Sequence, residues 1–370
     1  MAYHTTPYLL LFLPAALLFY QITPAKWRSY TLLIFSYLFF WSFSEKLIIY
    51  LIGTTFLTHH ICIWMDTMDK RDKRKKRVLQ LGIFLLLGTI LCLKYRNFFF
   101  GNVSKLAMAL HIDWSYQDQL IFLPIGISFY TLSAIGYMAD VYWGKVKAEY
   151  SLVKTALFLG FFPVIVEGPI CRWEDVEDTL FKNESVKAEN VFKGCYRIIW
   201  GLFKKMIIAD RLAVLVDKVY VGYESYSGAV IVAAAISYTI QLYMEFSGCM
   251  DMVIGSAGLF GIRLPENFSQ PFLAKTCTDF WKRWHITLGI WFKNYIFYPV
   301  SISKTARKWN KFTRKHFKGD FGKYVARMGI AAMALFPVWI SNGLWHGPKW
   351  NYIFYGLYYF GLIFMGLALE

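Results

Sequence analysis

Carboxylates are scarce in this chain. Its 370 residues hold 24 Asp and Glu against 40 Lys and Arg, which leaves a net charge of +16. Only 17% of residues are charged, while 57% are hydrophobic and 19% aromatic, a balance that excludes an ordinary water-soluble domain. The six cysteines form no Cys-x-x-Cys pair and no cluster with histidine at metal-ligand spacing, so neither a disulfide framework nor a zinc site is indicated and no metal is expected. No Walker-type phosphate cradle and no Gly-x-Ser-x-Gly elbow is present, which removes the P-loop ATPases and the serine hydrolases. No internal repeat is visible either, and inverted repeats are the commonest trace of a secondary transporter. Residues 1–23 lack the basic start and small-residue cleavage site of a signal peptide, so the first apolar run is expected to stay as a helix.

What the chain does have is apolar length. Runs fall near 8–23, 29–43, 47–65, 78–94, 119–139, 152–168, 191–208, 228–246, 250–260, 284–299, 328–344 and 350–368. Several approach the roughly 20 residues that cross a bilayer core, and others are too short to do so upright. The expectation is an all-α integral membrane protein with about nine to eleven membrane helices, some tilted or re-entrant.

The positive charge is not spread as a nucleic-acid-binding surface would spread it. Loops 66–77 and 304–327 carry +12 of the net +16, and both are short and flanked by apolar runs. Short basic loops mark the cytoplasmic face, and they attract anionic lipid. A second use of loop 304–327 is contact with the phosphates of a cytoplasmic acyl donor. Counting outward from loop 66–77 puts the N-terminus outside, residues 95–118 outside, and Lys145 and Lys147 back in the cytoplasm. Nucleic acid is not an expected partner; membrane lipid is.

Ionisable residues nonetheless sit among apolar neighbours: Asp140, Glu167, Arg172, Asp210, Arg211, Glu245, Asp251, Asp279 and Arg283. An unpaired charge at membrane depth is costly, so ion pairs that pin broken helices are the expected role of Asp140, Asp210, Arg211 and Asp251. Two histidines stand apart. His285 follows Trp284 in the run Phe280-Trp281-Lys282-Arg283-Trp284-His285-Ile286-Thr287-Leu288, and His346 follows Trp345 in Gly343-Leu344-Trp345-His346-Gly347. The residues by themselves leave core packing and chemistry equally open for this pair. His59 and His60, adjacent on one presumed helix, diverge too far to share a metal and read as polar packing or interfacial residues.

Further blocks set the pair in context. Leu123-Pro124-Ile125-Gly126-Ile127-Ser128-Phe129-Tyr130-Thr131 leads to Asp140-Val141-Tyr142, and Phe161-Phe162-Pro163 leads to Gly168-Pro169-Ile170. Gly201-Leu202-Phe203-Lys204-Lys205 leads to Ala209-Asp210, and Phe246-Ser247-Gly248 to Asp251-Met252; Pro265-Glu266-Asn267-Phe268 and Asn342-Gly343-Leu344-Trp345-His346-Gly347 follow. In order and spacing, over nearly the whole chain, these blocks resemble the membrane-bound O-acyltransferase superfamily, most closely its bacterial alginate O-acetyltransferase-like branch. The resemblance implies one membrane O-acyltransferase domain over 1–370, a helical bundle around a central funnel or tunnel, and a chain that stops short of the C-terminal helices of longer relatives. It departs from them at Cys249, where an aromatic residue is frequent.

The resemblance also implies roles. His346 takes the place of the catalytic histidine and His285 that of its companion, with Trp284, Trp345, Arg283 and Asn342 as substrate-binding neighbours. An alcohol attacking a thioester must shed its proton, and an imidazole with a pKa of about 6.5 is suited to accept it. His285 would orient the acceptor, relay a proton or steady the oxyanion, the tryptophans would exclude water, and Gly343 and Gly347 would allow close backbone approach to the tunnel. Implied with these are no bound cofactor, acetyl-CoA or another acyl thioester as donor, and a plasma-membrane location. The acyl group, acetyl by preference, would pass across the membrane to an outer-face SGNH-type partner that esterifies an exported or cell-surface polysaccharide. D-alanyl transfer toward teichoic acid is the alternative within the family. A lipid-linked sugar transporter and a scaffold without activity are the alternatives outside it.

Overall fold

The computed structural model describes residues 2–69 and 72–369, so Lys70 and Arg71 of the first basic loop lie outside the described residues. Among the described residues every extended element is helical, and the one departure is an isolated antiparallel bridge between Phe268 and Trp284. The all-α membrane architecture expected from the apolar runs is therefore the one observed. Five stretches are long and apolar enough to cross a membrane: Ala25–Asp66, Lys73–Ala109, Gly228–Leu259, Gly319–His346 and Trp350–Leu369. This is fewer than the nine to eleven membrane helices expected from the sequence, because several of the apolar runs fold into short or interrupted pieces. Leu152–Gly160 has nine residues and Ile286–Phe292 seven, too few to span upright.

The chain forms two compact units, Met1–Asp69 with Pro124–Asn267, and Lys70–Leu123 with Phe268–Glu370. In the first, the helices Ala188–Leu202 and Gly228–Leu259 press together through glycine. A methyl added to Gly194 would lie 2.8 Å from the Gly255 carbonyl, and one added to Gly255 would lie 2.8 Å from that of Gly194. Gly201 and Gly248 repeat the contact seven residues along each helix. Small residues let helix backbones approach in lipid, where apolar surface alone gives no drive to associate.

Close approach brings charges into register. Asp251 accepts from Arg197 at 3.1 Å and Lys204 at 2.7 Å, Arg197 also grips Glu266 through two nitrogens, and Lys205 joins Asp210 at 2.9 Å to Glu245 at 2.7 Å. Both lysines lie on a π-helical turn, Phe203–Ala209. Asp140, only 1% exposed, pairs with Lys145 at 3.3 Å. Of the ion-pair role expected of Asp140, Asp210, Arg211 and Asp251, the structure holds it for the three aspartates, while Arg211 is exposed and forms no ion pair among the described residues. His59 is buried with its Nδ1 3.2 Å from the Thr155 hydroxyl, and His60 is exposed beside the Phe56 carbonyl.

The second unit contains both special histidines. Lys73–Ile90 runs into a π turn, Leu91–Tyr95, and then Arg96–Ala109. After the bridge at Phe268 come Cys277–Arg283, whose first turn is capped by Thr276 accepting from the Asp279 amide at 3.0 Å, then Ile286–Phe292 and a π turn at Lys293–Phe297. Lys304–His316 follows, capped by the Ser303 hydroxyl at 3.2 Å from the Ala306 amide. Its Ala306 and Thr313 are buried, while Lys304, Arg307, Lys308, Lys311, Arg314 and Lys315 recur every three or four residues and are all exposed. One face packs and the opposite face is a cationic stripe.

Gly319–His346 and Trp350–Leu369 form an antiparallel hairpin. A side chain at Gly343 would overlap the Tyr352 carbonyl, and one at Gly356 would overlap that of Trp339. Gly343 therefore serves contact between the two helices of the hairpin, and the backbone it admits is that of Tyr352.

Candidate functional site

His285 owes its place to a break between two short helices. Trp284 is extended, with φ −107° and ψ 128°, and His285 turns left-handed, with φ 48° and ψ 52°. Histidine is among the few non-glycine residues enriched there, yet the conformation still costs about 1–2 kcal/mol. Its carbonyl starts the next helix by accepting from the Gly289 amide at 3.1 Å. The result is a backbone corner that turns the imidazole inward, and His285 is 4% exposed.

His346 is the last residue of the long helix Gly319–His346 and, unlike His285, is exposed. Trp345 joins the two: its indole meets His285 edge-on at 5.5 Å between centroids, and its own neighbour His346 at 5.0 Å. Tyr355 approaches His346 edge-on at 5.5 Å, and Tyr352 lies nearly parallel to it at 5.9 Å. Behind these, Trp281, Trp339, Tyr355 and Tyr359 form a continuous aromatic cluster, with Trp281 4.8 Å from Tyr359 and 5.1 Å from Trp339. These rings pack one side of the site with apolar surface. Gly347 lets the Tyr352 ring close over the chain, since a methyl there would lie 2.7 Å from that ring.

The remaining predicted site residues divide. Asn342 sits one helical turn before His346, is 6% exposed, and its side-chain oxygen is buried with no hydrogen-bond partner among the described residues. A buried acceptor left open is costly by about 1–3 kcal/mol. Arg283 pairs with Asp279 at 3.0 Å across one turn, and that hydrogen bond holds the Asp279 carboxyl below the usual carboxylate range. Its charge is thus engaged on its own helix. Trp284 stacks on Phe280 at 5.6 Å and meets Phe268 edge-on at 5.1 Å, which fixes the strand-like bridge that precedes the His285 corner.

Two residues that sequence reasoning passed over stand at the end of the histidine helix. The Lys94 ammonium donates to the Trp345 carbonyl at 2.6 Å, and the Tyr95 hydroxyl donates to the Leu344 carbonyl. Lys94 was the available signal, a lysine closing the apolar run 78–94. It also lines a cavity of about 1090 Å³ together with Asn97, Tyr116, Gln117, Lys349 and Trp350, the last two just beyond His346. The first unit has its own cavity of about 610 Å³, bordered by Lys182, Lys187, Arg197 and Glu266, and none of the predicted site residues lines it. Among the described residues no group of three or more His, Cys, Asp or Glu is placed to hold a metal.

Comparison with known proteins shows the family. Residues 145–316 match the model of MBOAT, the membrane-bound O-acyltransferase family, an interval that includes His285 and ends before His346. The probable alginate O-acetylase of Pseudomonas putida is 32% identical over 370 residues, covering all of this chain and 70% of its own length. The peptidoglycan O-acetyltransferase of Helicobacter pylori is 28% identical across 96% of this chain and 68% of itself. A teichoic acid D-alanyltransferase of Bacillus subtilis is 29% identical over 64% of this chain and 56% of its own length.

Proposed function

The chain belongs to the membrane-bound O-acyltransferase family and is an acyltransferase of the membrane, and on that premise we propose that it moves acetyl groups from a cytoplasmic thioester such as acetyl-CoA toward an exported or cell-surface polysaccharide. The observation that carries the proposal is the pair of imidazoles meeting at Trp345, one buried and one exposed. Acetyl is favoured over D-alanyl because the O-acetylating relatives align over 96–100% of the chain and the D-alanyl ones over 64–66%.

The exposed His346 is the base. The acceptor hydroxyl gives its proton to the imidazole as its oxygen attacks the thioester carbonyl; the carbon–oxygen bond forms, the carbon–sulfur bond breaks, and the proton passes to the departing sulfur. General-base assistance of this kind contributes roughly 10²–10⁴ in rate. His285, held rigidly behind Trp345, orients the acceptor or steadies the oxyanion, and Asn342 offers its buried oxygen to a hydroxyl. The acetyl group leaves the membrane to an outer-face transferase partner. The basic segments 66–77 and 304–327, the second helical in the structure rather than a loop, face the cytoplasm, where their cations meet anionic lipid.

The test is a comparison of donors on the full-length protein in proteoliposomes. Radiolabelled acetyl-CoA should label the acceptor fraction and a D-alanyl-loaded carrier protein should not. Labelling from the D-alanyl donor alone would overturn the acetyl assignment.

A further inference from the structure

The helix that presents His346 ends where helices are least constrained. The last four carbonyls of any helix lack an internal partner, and here Gly347 continues extended rather than folding back to satisfy them. Two of those carbonyls, on the two residues before His346, are instead held from about 250 positions earlier in the chain, by Lys94 on Trp345 and Tyr95 on Leu344. Both side chains come from one π turn, Leu91–Tyr95, within the span Lys73–Ala109. A π turn is wider than an α turn, so two consecutive side chains can reach the same target; such turns are rare and recur at functional sites. A lysine inside an apolar span is expensive and is kept where it does work.

Lys94 brings a charge as well as a hydrogen bond. An ammonium at a helix C-terminus faces the negative end of the helix dipole, which offsets part of its cost of burial. It also borders the large cavity that continues along Lys349 and Trp350.

We infer that Lys94 and Tyr95 are positioning residues for His346: together they clamp the last turn of the Gly319–His346 helix and fix where its terminal imidazole meets the acceptor hydroxyl. The inference rests on His346 being the base. Displacing a catalytic group by about 1 Å is enough to lower a rate roughly a hundredfold. Lys94 and Tyr95 need not touch the substrate to have that effect.

The experiment measures kcat and the KM for radiolabelled acetyl-CoA, with the thermal midpoint, for the full-length protein in one lipid composition. Lys94→Met should lose about a hundredfold in kcat with KM unchanged, and Lys94→Arg, which restores both charge and donor, should recover most of it. Tyr95→Phe removes a single hydroxyl, folds without difficulty, and should lose several-fold in kcat at an unchanged midpoint. His346→Ala is measured alongside. If it retains wild-type turnover, the base assignment fails. If it is inactive while Lys94→Met and Tyr95→Phe keep wild-type kcat per folded molecule, or lose only thermal stability, the positioning role is overturned and the base assignment stands.

Discussion

The His285 imidazole meets the Trp345 indole edge-on, 5.5 Å between centroids, although 60 positions separate them in the chain. Trp345 is the residue before His346, so one ring relates the buried histidine to the exposed one. His346 is exposed and His285 is buried. The proposed division of labour between base and companion rests on that difference.

The left-handed corner at His285 separates backbone from chemistry. Asparagine tolerates φ 48°, whereas a β-branched residue does not. His285→Asn should therefore fold with a near-native thermal midpoint and lose most of its turnover, while His285→Val should be further destabilised by about 1–2 kcal/mol. Thermal unfolding in detergent alongside acetyl transfer reads both. Equal midpoints for the two variants would mean the corner carries no strain.

Glycines on the hairpin should differ according to what surrounds them. Gly343→Ala drives a methyl into the Tyr352 carbonyl and should cost about 1–3 kcal/mol or force the two helices apart. Gly366→Ala, on the helix Trp350–Leu369 with nothing within 4 Å, should be neutral or stabilise by up to about 1 kcal/mol. Paired thermal scans of these two variants check the contrast.

The ion network around Asp251 predicts a stability effect with no direct catalytic one. Asp251→Ala leaves Arg197 and Lys204, both partly buried, short of a carboxylate and should cost about 3 kcal/mol or more. Turnover per folded molecule should stay near wild type. The measurement is the fraction surviving detergent extraction and heating, normalised activity being taken on the survivors.

Much of this was legible in the sequence, and the omissions have physical causes. Apolar length announced the all-α membrane class, and embedded Asp140, Asp210 and Asp251 announced ion pairs, because charge in lipid must be paired. Hydropathy counts runs but not breaks, so the seven-residue Ile286–Phe292 and the nine-residue Leu152–Gly160 looked like members of a longer series. The Trp-His blocks exposed His285 and His346 at once. The pairing of Arg283 with Asp279, one turn back, is likewise a contact the sequence does not show. Lys94 and Tyr95 were hidden by distance: no local pattern reports that a π turn near residue 94 meets a helix end near residue 345. Tyr355 and Tyr359 were hidden for the opposite reason, as two aromatics among many in the run 350–368.

The basic helix Lys304–His316 makes a lipid-dependent prediction. Its exposed cations lie opposite the buried Ala306 and Thr313, so neutralising them should leave the packing intact. Replacing Lys308 and Lys311 together by Gln should reduce the stabilisation that anionic lipid confers, by about 1 kcal/mol per cation, and leave stability in zwitterionic lipid unchanged. Thermal midpoints in nanodiscs of the two compositions check this, and loss of stability in both would point to a packing role instead.

The exposed histidine at the end of Gly319–His346 is proposed to accept the acceptor's proton. The direct measurement is the single-turnover rate of acyl transfer from radiolabelled acetyl-CoA by wild type and His346→Ala, each reconstituted at equal folded concentration. A fall of roughly 10²-fold or more, with extraction and thermal midpoint unchanged, is the predicted result. A rate within a few-fold of wild type would contradict the assignment of His346 as the base.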